Sequence, residues 1–312
     1  MIIDLPDTNT SQVAKNLVKA REEGGVVALG RVLTLIIAAT DDVAESAIDA
    51  ANDASREHPM RVIVVIAHEE GDSKLDAQIR VGGDAGASEV VVLRATGAAA
   101  SNEESLVTGL LLPDAPVVAW WPDHPPAVPV ESPIGRIAQR RITDASTARS
   151  PEERLSELGA VHSPGDTDLA WTRLTHWREQ LAAELDQPPY EPVTAVEVVG
   201  SGSSPSTGLL AAWLRLKLDV PVVWRFAPQE KWDHGIQSVR LTRASGDIVL
   251  ERTNEVDALL QQPGQPSHEL VLPRRTLREC LAEELRRLDP DVLYGRVITE
   301  GWELLGPPLV QE

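Results

Sequence analysis

The chain of 312 residues holds one cysteine, Cys280. A single thiol excludes an intramolecular disulfide and fits a reducing compartment. Positive charge is scarce: 29 lysines and arginines stand against 48 acids, a formal charge of −19. Polyanions are repelled by such a chain at long range, so neither nucleic acid nor an anionic membrane is expected as a partner. Long apolar runs are missing, the best ones being cut by Arg31 and by Pro113-Asp114, and no segment reads as a membrane span. The opening residues, Met1 to Asp7, carry acids where a signal peptide carries lysines, which makes cytoplasmic the expected location. Several catalytic signatures are absent as well. The seven histidines, at 58, 68, 124, 162, 176, 234 and 268, lack the spacing of metal ligands. No Gly-x-Ser-x-Gly elbow occurs, and no Gly-Lys-Ser/Thr ending of a phosphate loop. The acidic pairs Glu22-Glu23, Glu69-Glu70 and Glu283-Glu284 read as solvated faces. Neither a cofactor nor a metal is expected.

The apolar fraction of 42% and charged fraction of 25% are those of a soluble globular protein, long enough for two cores. Apolar periodicity predicts helices over 11–23, 41–56 and 102–112, with strands over 31–39, 61–67, 75–81, 89–94 and 115–121. Gly82-Gly83-Asp84 forms the turn between the third and fourth of these strands. Pro122 to Pro133 is proline-dense and reads as an extended connection. Past a boundary at 151–166, strands are expected at 193–199, 221–226, 236–243, 247–252 and 269–272, with helices at 168–186, 205–218 and 276–288. The fold class is α/β: two sandwich domains, 1–155 and 165–312, each a mixed β-sheet with packed helices. The two successions resemble each other, which admits an old duplication, although residue identity between the halves is too low to argue it.

Four segments stand out. In the helix from Asp168 to Asp186, Trp171, Leu174, Trp177, Leu181 and Leu185 line one stripe, with Arg173 and Arg178 on its flanks. The tryptophans serve either as core anchors or, with the arginines, as a partner-binding face. Trp120-Trp121 ends a strand and is open to the same two readings. The loop from Gly200 to Gly208 follows a strand and opens a helix. Its Gly200, Gly202, Ser203 and Ser204 are either a capped turn or a phosphate contact. A dinucleotide fingerprint fails there, because Pro205 stands where the third glycine belongs. Arg136, Arg140 and Arg141 cluster in an acidic background; Arg136 and Arg140 share a face if the segment is helical. They suit a phosphate, an acidic partner, or internal ion pairs such as one to Asp144.

The run Asp168-Leu-Ala-Trp-Thr-Arg-Leu-Thr-His-Trp-Arg178 resembles the most recognisable stretch of the OpcA family, the glucose-6-phosphate dehydrogenase assembly proteins of bacteria. Gly30 to Leu35, His58 to Val65, Leu112 to Trp121, Gly135 to Asp144 and Leu277 to Asp291 fit the same family in the same order. The resemblance implies a non-catalytic regulatory subunit. It would bind glucose-6-phosphate dehydrogenase, promote its active oligomer and raise flux into the oxidative pentose phosphate pathway. The alternative is a sugar-phosphate-binding enzyme or sensor built on the Gly200–Gly208 loop.

Overall fold

The computed structural model describes residues 1–23, 32–82, 89–228, 230, 232 and 235–309. Arg31, the Gly83-Asp84 turn, Gly30 of the family motif and His234 lie outside them. In chain order the elements are β1 (Ile2–Leu5), α1 (Thr10–Glu23), β2 (Leu33–Ala38), α2 (Asp41–Ala54), β3 (Met60–His68), β4 (Lys74–Arg80) and β5 (Glu89–Thr96). There follow α3 (Glu103–Thr108), β6 (Val117–Trp120), α4 (Pro133–Ile137), β7 (Arg140–Thr143), α5 (Pro151–Ala160) and β8 (Asp166–Asp168). Next come α6 (Leu169–Thr172), α7 (Thr175–Leu185), β9 (Ala195–Gly200), α8 (Ser206–Leu218), β10 (Val222–Phe226), β11 (Ile236–Arg243) and β12 (Gly246–Arg252). The last are β13 (Asp257–Gln261), β14 (His268–Val271), α9 (Leu277–Arg286) and α10 (Val292–Arg296).

Two mixed sheets with packed helices make this an α/β protein of two compact units. The first unit takes 1–144, 165–167 and 277–290; the second takes 145–164, 168–276 and 291–312. Compactness thus partitions the chain differently from the contiguous spans 1–155 and 165–312, because α9 packs on α2 in the first unit. The cause lies in the stripe of α9. Cys280, Leu281 and Leu285 are buried there, and Arg140 of β7 reaches Glu284 of the same helix.

The first sheet runs β1-β4-β5-β3-β2-β6-β7-β8. Its β5-β3-β2-β6-β7 portion is parallel, and β1 and β4 join antiparallel. Leu35, Ile36, Ile37, Val62 to Ile66 and Val90 to Leu93 are fully buried, as the unbroken apolar runs of β2, β3 and β5 require of strands covered on both faces. Strand order reverses between β2 and β6, the place where doubly wound sheets open a crevice at the carboxyl ends of their strands. Here side-chain hydrogen bonds link the two strand ends. Thr40 donates from N–H and Oγ1 to Asp123 Oδ2 at 3.3 and 2.6 Å, and α2 opens on Asp41 and Asp42 with no glycine before it. Carboxylates at that helix start repel a pyrophosphate rather than cradle it.

The second sheet runs β10-β9-β11-β12-β13-β14, with β9 and β10 parallel and every other pair antiparallel. The two sheets do not share a strand order, so the likeness of the two successions stops short of topology. The second core gathers Leu209 to Leu214 of α8 with Val196, Val198, Val239, Leu241, Ile248, Leu250, Trp171 and Trp177.

Candidate functional site

The Trp–Arg segment folds as two helices rather than the one that its stripe predicts. Asp168 caps α6 by accepting from Ala170 N–H at 2.8 Å, while its other oxygen accepts from Ala145 N–H at 2.9 Å. Between α6 and α7 a tighter bond, Leu174 N–H to Trp171 C=O at 3.0 Å, shifts the helix by a residue. Trp171, Leu174, Trp177 and Leu181 are all buried, so the stripe is core. Trp171 donates from Nε1 to Asp291 Oδ2 at 2.8 Å, and Arg178 stacks on its ring with the guanidinium carbon 3.7 Å from the centroid. Trp120 and Trp121 are also interior, at 0% and 4% exposure. A partner-binding role for any of these four rings would need surface that they do not have. Arg173 and Arg178, both half-buried, remain on the flanks.

Arg173 and Trp177 meet the serine loop at one cavity of the second unit. Arg173, Leu174, Trp177, Ser204, Ser206, Gly235, Ile236, Arg252, Arg274 and Arg275 enclose about 220 Å³. Four guanidiniums line it and, among the described lining residues, no acid does. Arg252 closes β12, where Ile248 and Leu250 alternate inward, so the strand's period of two carries the arginine onto the core face. It is 5% exposed. Its Nη2 donates to Leu272 C=O at 2.7 Å, and its guanidinium carbon lies 5.3 Å from the Trp177 ring centroid. Arg275 donates to Thr172 C=O at 2.8 Å, and Arg274 stands 5.5 Å from the Trp232 ring centroid. Burial pushes Arg252 down to about 10, and repulsion from Arg274 adds to the effect.

The Gly200–Gly208 loop is largely accounted for by its own packing. Ser201 and Ser203 hydroxyls lie 2.8 Å apart, Ser203 N–H donates to Ser201 Oγ at 3.1 Å, and Thr207 Oγ1 donates to Ser201 C=O at 3.1 Å. A Cβ on Gly200 would strike Thr207 Oγ1, and one on Gly208 would lie 2.8 Å from the Trp302 ring. Those glycines serve close packing. Gly202 and Ser203 are exposed beside a second cavity of about 560 Å³, which Arg149, Phe226 and Trp232 help to line.

The arginine cluster is dispersed. Arg136 sits in α4 and pairs with Glu104 at 3.3 Å, whereas Arg140 and Arg141 lie on β7. The shared helical face therefore does not form. Consecutive strand residues point to opposite faces, and the two guanidiniums find different carboxylates, Glu284 for Arg140 and Asp166 for Arg141. Glu284, expected in solvent, is buried. Among the described residues no group of histidines, cysteines and carboxylates is arranged to hold a metal, and no helix is long and apolar enough to cross a membrane.

Sequence inspection missed Arg252, Arg274 and Arg275. The Ile248-x-Leu250-x-Arg252 alternation was the available signal, while Arg274 and Arg275 lie in an irregular stretch that no periodicity describes.

Residues 51–160 match the glucose-6-phosphate dehydrogenase subunit N-terminal domain, and residues 164–298 match the C-terminal domain of the same subunit. A relative from Synechocystis sp., provisionally named OxPP cycle protein OpcA, is 28% identical over 159 residues, 48% of this chain and 33% of its own length. The match thus spans about a third of that relative. Among solved structures, an oxidoreductase from Sinorhizobium meliloti is 10% identical with a TM-score of 0.49, covering 87% of this chain and 94% of its own. A structure titled trehalose-6-phosphate from E. coli, bound with UDP-2-fluoro glucose, reaches a TM-score of 0.26 at 10% identity over 63% and 66% of the two chains. Neither likeness carries an argument. The two domain matches succeed each other in the right order across most of the chain, and the protein belongs to the OpcA family of glucose-6-phosphate dehydrogenase assembly proteins.

Proposed function

We propose that the chain is a non-catalytic subunit that binds glucose-6-phosphate dehydrogenase, promotes its active oligomer and raises flux into the oxidative pentose phosphate pathway. The observation carrying this reading is the consecutive match of both domains of a dehydrogenase subunit over 51–160 and 164–298. The local chemistry supports it. Buried charges in the first unit are spent on internal pairs, Arg61 with Glu89, Arg140 with Glu284 and Arg141 with Asp166, rather than on a poised acid and base. The protein acts in the cytoplasm, with its partner.

Titrating the full chain into a fixed amount of the dehydrogenase tests the reading. Specific activity should rise and saturate at a defined ratio of the two proteins. A flat titration, together with turnover of a sugar phosphate by the chain alone, would favour the sugar-phosphate enzyme instead.

A further inference from the structure

In a chain with a net charge of −19, an arginine sheltered from solvent ordinarily finds a carboxylate. Of the five arginines buried among the described residues, Arg61, Arg140 and Arg141 pair with one, whereas Arg243 and Arg252 each keep a buried Nε without an acceptor. Arg252 is one of the residues that line the cavity of the second unit. It is 5% exposed, its Nε is buried without a hydrogen-bond acceptor, and its hydrogen bond among the described residues runs to the neutral carbonyl of Leu272. An unneutralised guanidinium in such a place costs stability, since burial strips its hydration and no opposite charge replaces it. Three more arginines, Arg173, Arg274 and Arg275, line the same cavity.

We propose that this cavity binds the phosphate group of a small phosphomonoester, with Arg252 at its floor and Arg173, Arg274 and Arg275 around it. The inference is independent of the dehydrogenase reading. The donor set favours phosphate over carboxylate. The guanidiniums approach from three chain segments, and a tetrahedral anion with three free oxygens accepts from several forks at once, which the two oxygens of a carboxylate cannot. Ser204, half-buried on the rim, adds a hydroxyl. Trp177 and Trp232, beside Arg252 and Arg274, hold guanidinium faces and leave their edges for an anion. The space of about 220 Å³ sets the size, because it falls below the roughly 300–1,000 Å³ of sites for larger ligands. A phosphate with a compact polar body fits; a dinucleotide does not. The lowered affinity of Arg252 for its proton agrees, and a bound anion would reverse it.

The test is thermal unfolding of the full chain in phosphate-free buffer, titrated with sodium phosphate and, separately, with glucose 6-phosphate. Glucose and sodium chloride of matched ionic strength are the controls. A ligand that binds only the folded state raises the melting temperature logarithmically above its Kd. The parent should respond to phosphate and at lower concentration to glucose 6-phosphate, and to neither control. Arg252→Met should melt no lower than the parent without ligand, since it removes an unneutralised charge, and its Kd for glucose 6-phosphate should weaken at least tenfold. Should Arg252→Met fail to fold, Arg173→Gln carries the same comparison. A parent that ignores both phosphates overturns the proposal, as does an equal response in parent and variant. An acidic side chain of a partner as the true occupant would show itself as no phosphate response with weakened dehydrogenase binding in Arg252→Met, and that too overturns it. Loss of the phosphate response with intact dehydrogenase binding would support the site and separate it from the docking surface.

Discussion

Glu152, in the first turn of α5, has one carboxylate oxygen buried without a hydrogen-bond partner, and burial raises its pKa above the ordinary glutamate value. A carboxyl whose folded-state pKa is raised contributes stability below its unfolded pKa, about 4.3, and that contribution is lost as pH rises through the folded value. Near neutrality the ionised group therefore opposes folding. Glu152→Gln should raise the urea midpoint at pH 7.5, with the gain shrinking towards pH 4. A gain of equal size at both pH values would show that the charge is not the cause. Arg178 makes the opposite case. Lying 3.7 Å over Trp171, it contributes through stacking as well as charge. Arg178→Ala should lower stability by about 1 kcal/mol, whereas an arginine that merely faced solvent would cost under about 0.5 kcal/mol. Guanidine unfolding of the two proteins side by side decides between these values.

At the scale of elements, the pair between β7 and α9 fixes where α9 packs. Arg140 donates from Nε to Glu284 Oε2 at 3.0 Å and from Nη1 to Asp289 C=O at 2.8 Å, and Thr167 Oγ1 also reaches Glu284 at 3.4 Å. Glu284→Ala would leave Arg140 buried and uncompensated, at a cost of about 3–5 kcal/mol. The double change Arg140→Met with Glu284→Leu should recover most of that loss in a denaturant titration. A double variant as unstable as the single one would mean that the pair contributes more than its mutual neutralisation. This arrangement also marks how far the sequence could be read. Apolar periodicity placed β2, β3, β5, β9, α2 and α8 to within two residues or so, because each carries its own pattern. The short strands β1, β7, β8 and β13 escaped notice, since so short a run has little period to read, and the helix α5 lies in the stretch read as the domain boundary. The partners of Arg140 and Arg141 were illegible for another reason. They lie 144 and 25 residues away along the chain, and only the assembled sheet and helix bring them together. Half of the cavity was in view as Arg173, Trp177 and Ser204. The other half depended on a hairpin strand delivering Arg252 to the core face.

For the whole molecule, the acidic balance of −19 favours solubility and disfavours polyanionic partners, and Arg61, Arg140 and Arg141 of the first unit are held in internal ion pairs. Family membership supplies the partner to try, and the arginine cavity supplies a ligand to vary while trying it. Native mass spectrometry of the full chain mixed with glucose-6-phosphate dehydrogenase, with turnover measured on the same mixture, tests the central claim most directly. The account predicts a discrete species containing both proteins, a shift of the dehydrogenase towards its larger oligomer, and higher activity in the mixture than in the dehydrogenase alone. Two separate masses with unchanged turnover, at concentrations where both proteins are folded, would contradict it.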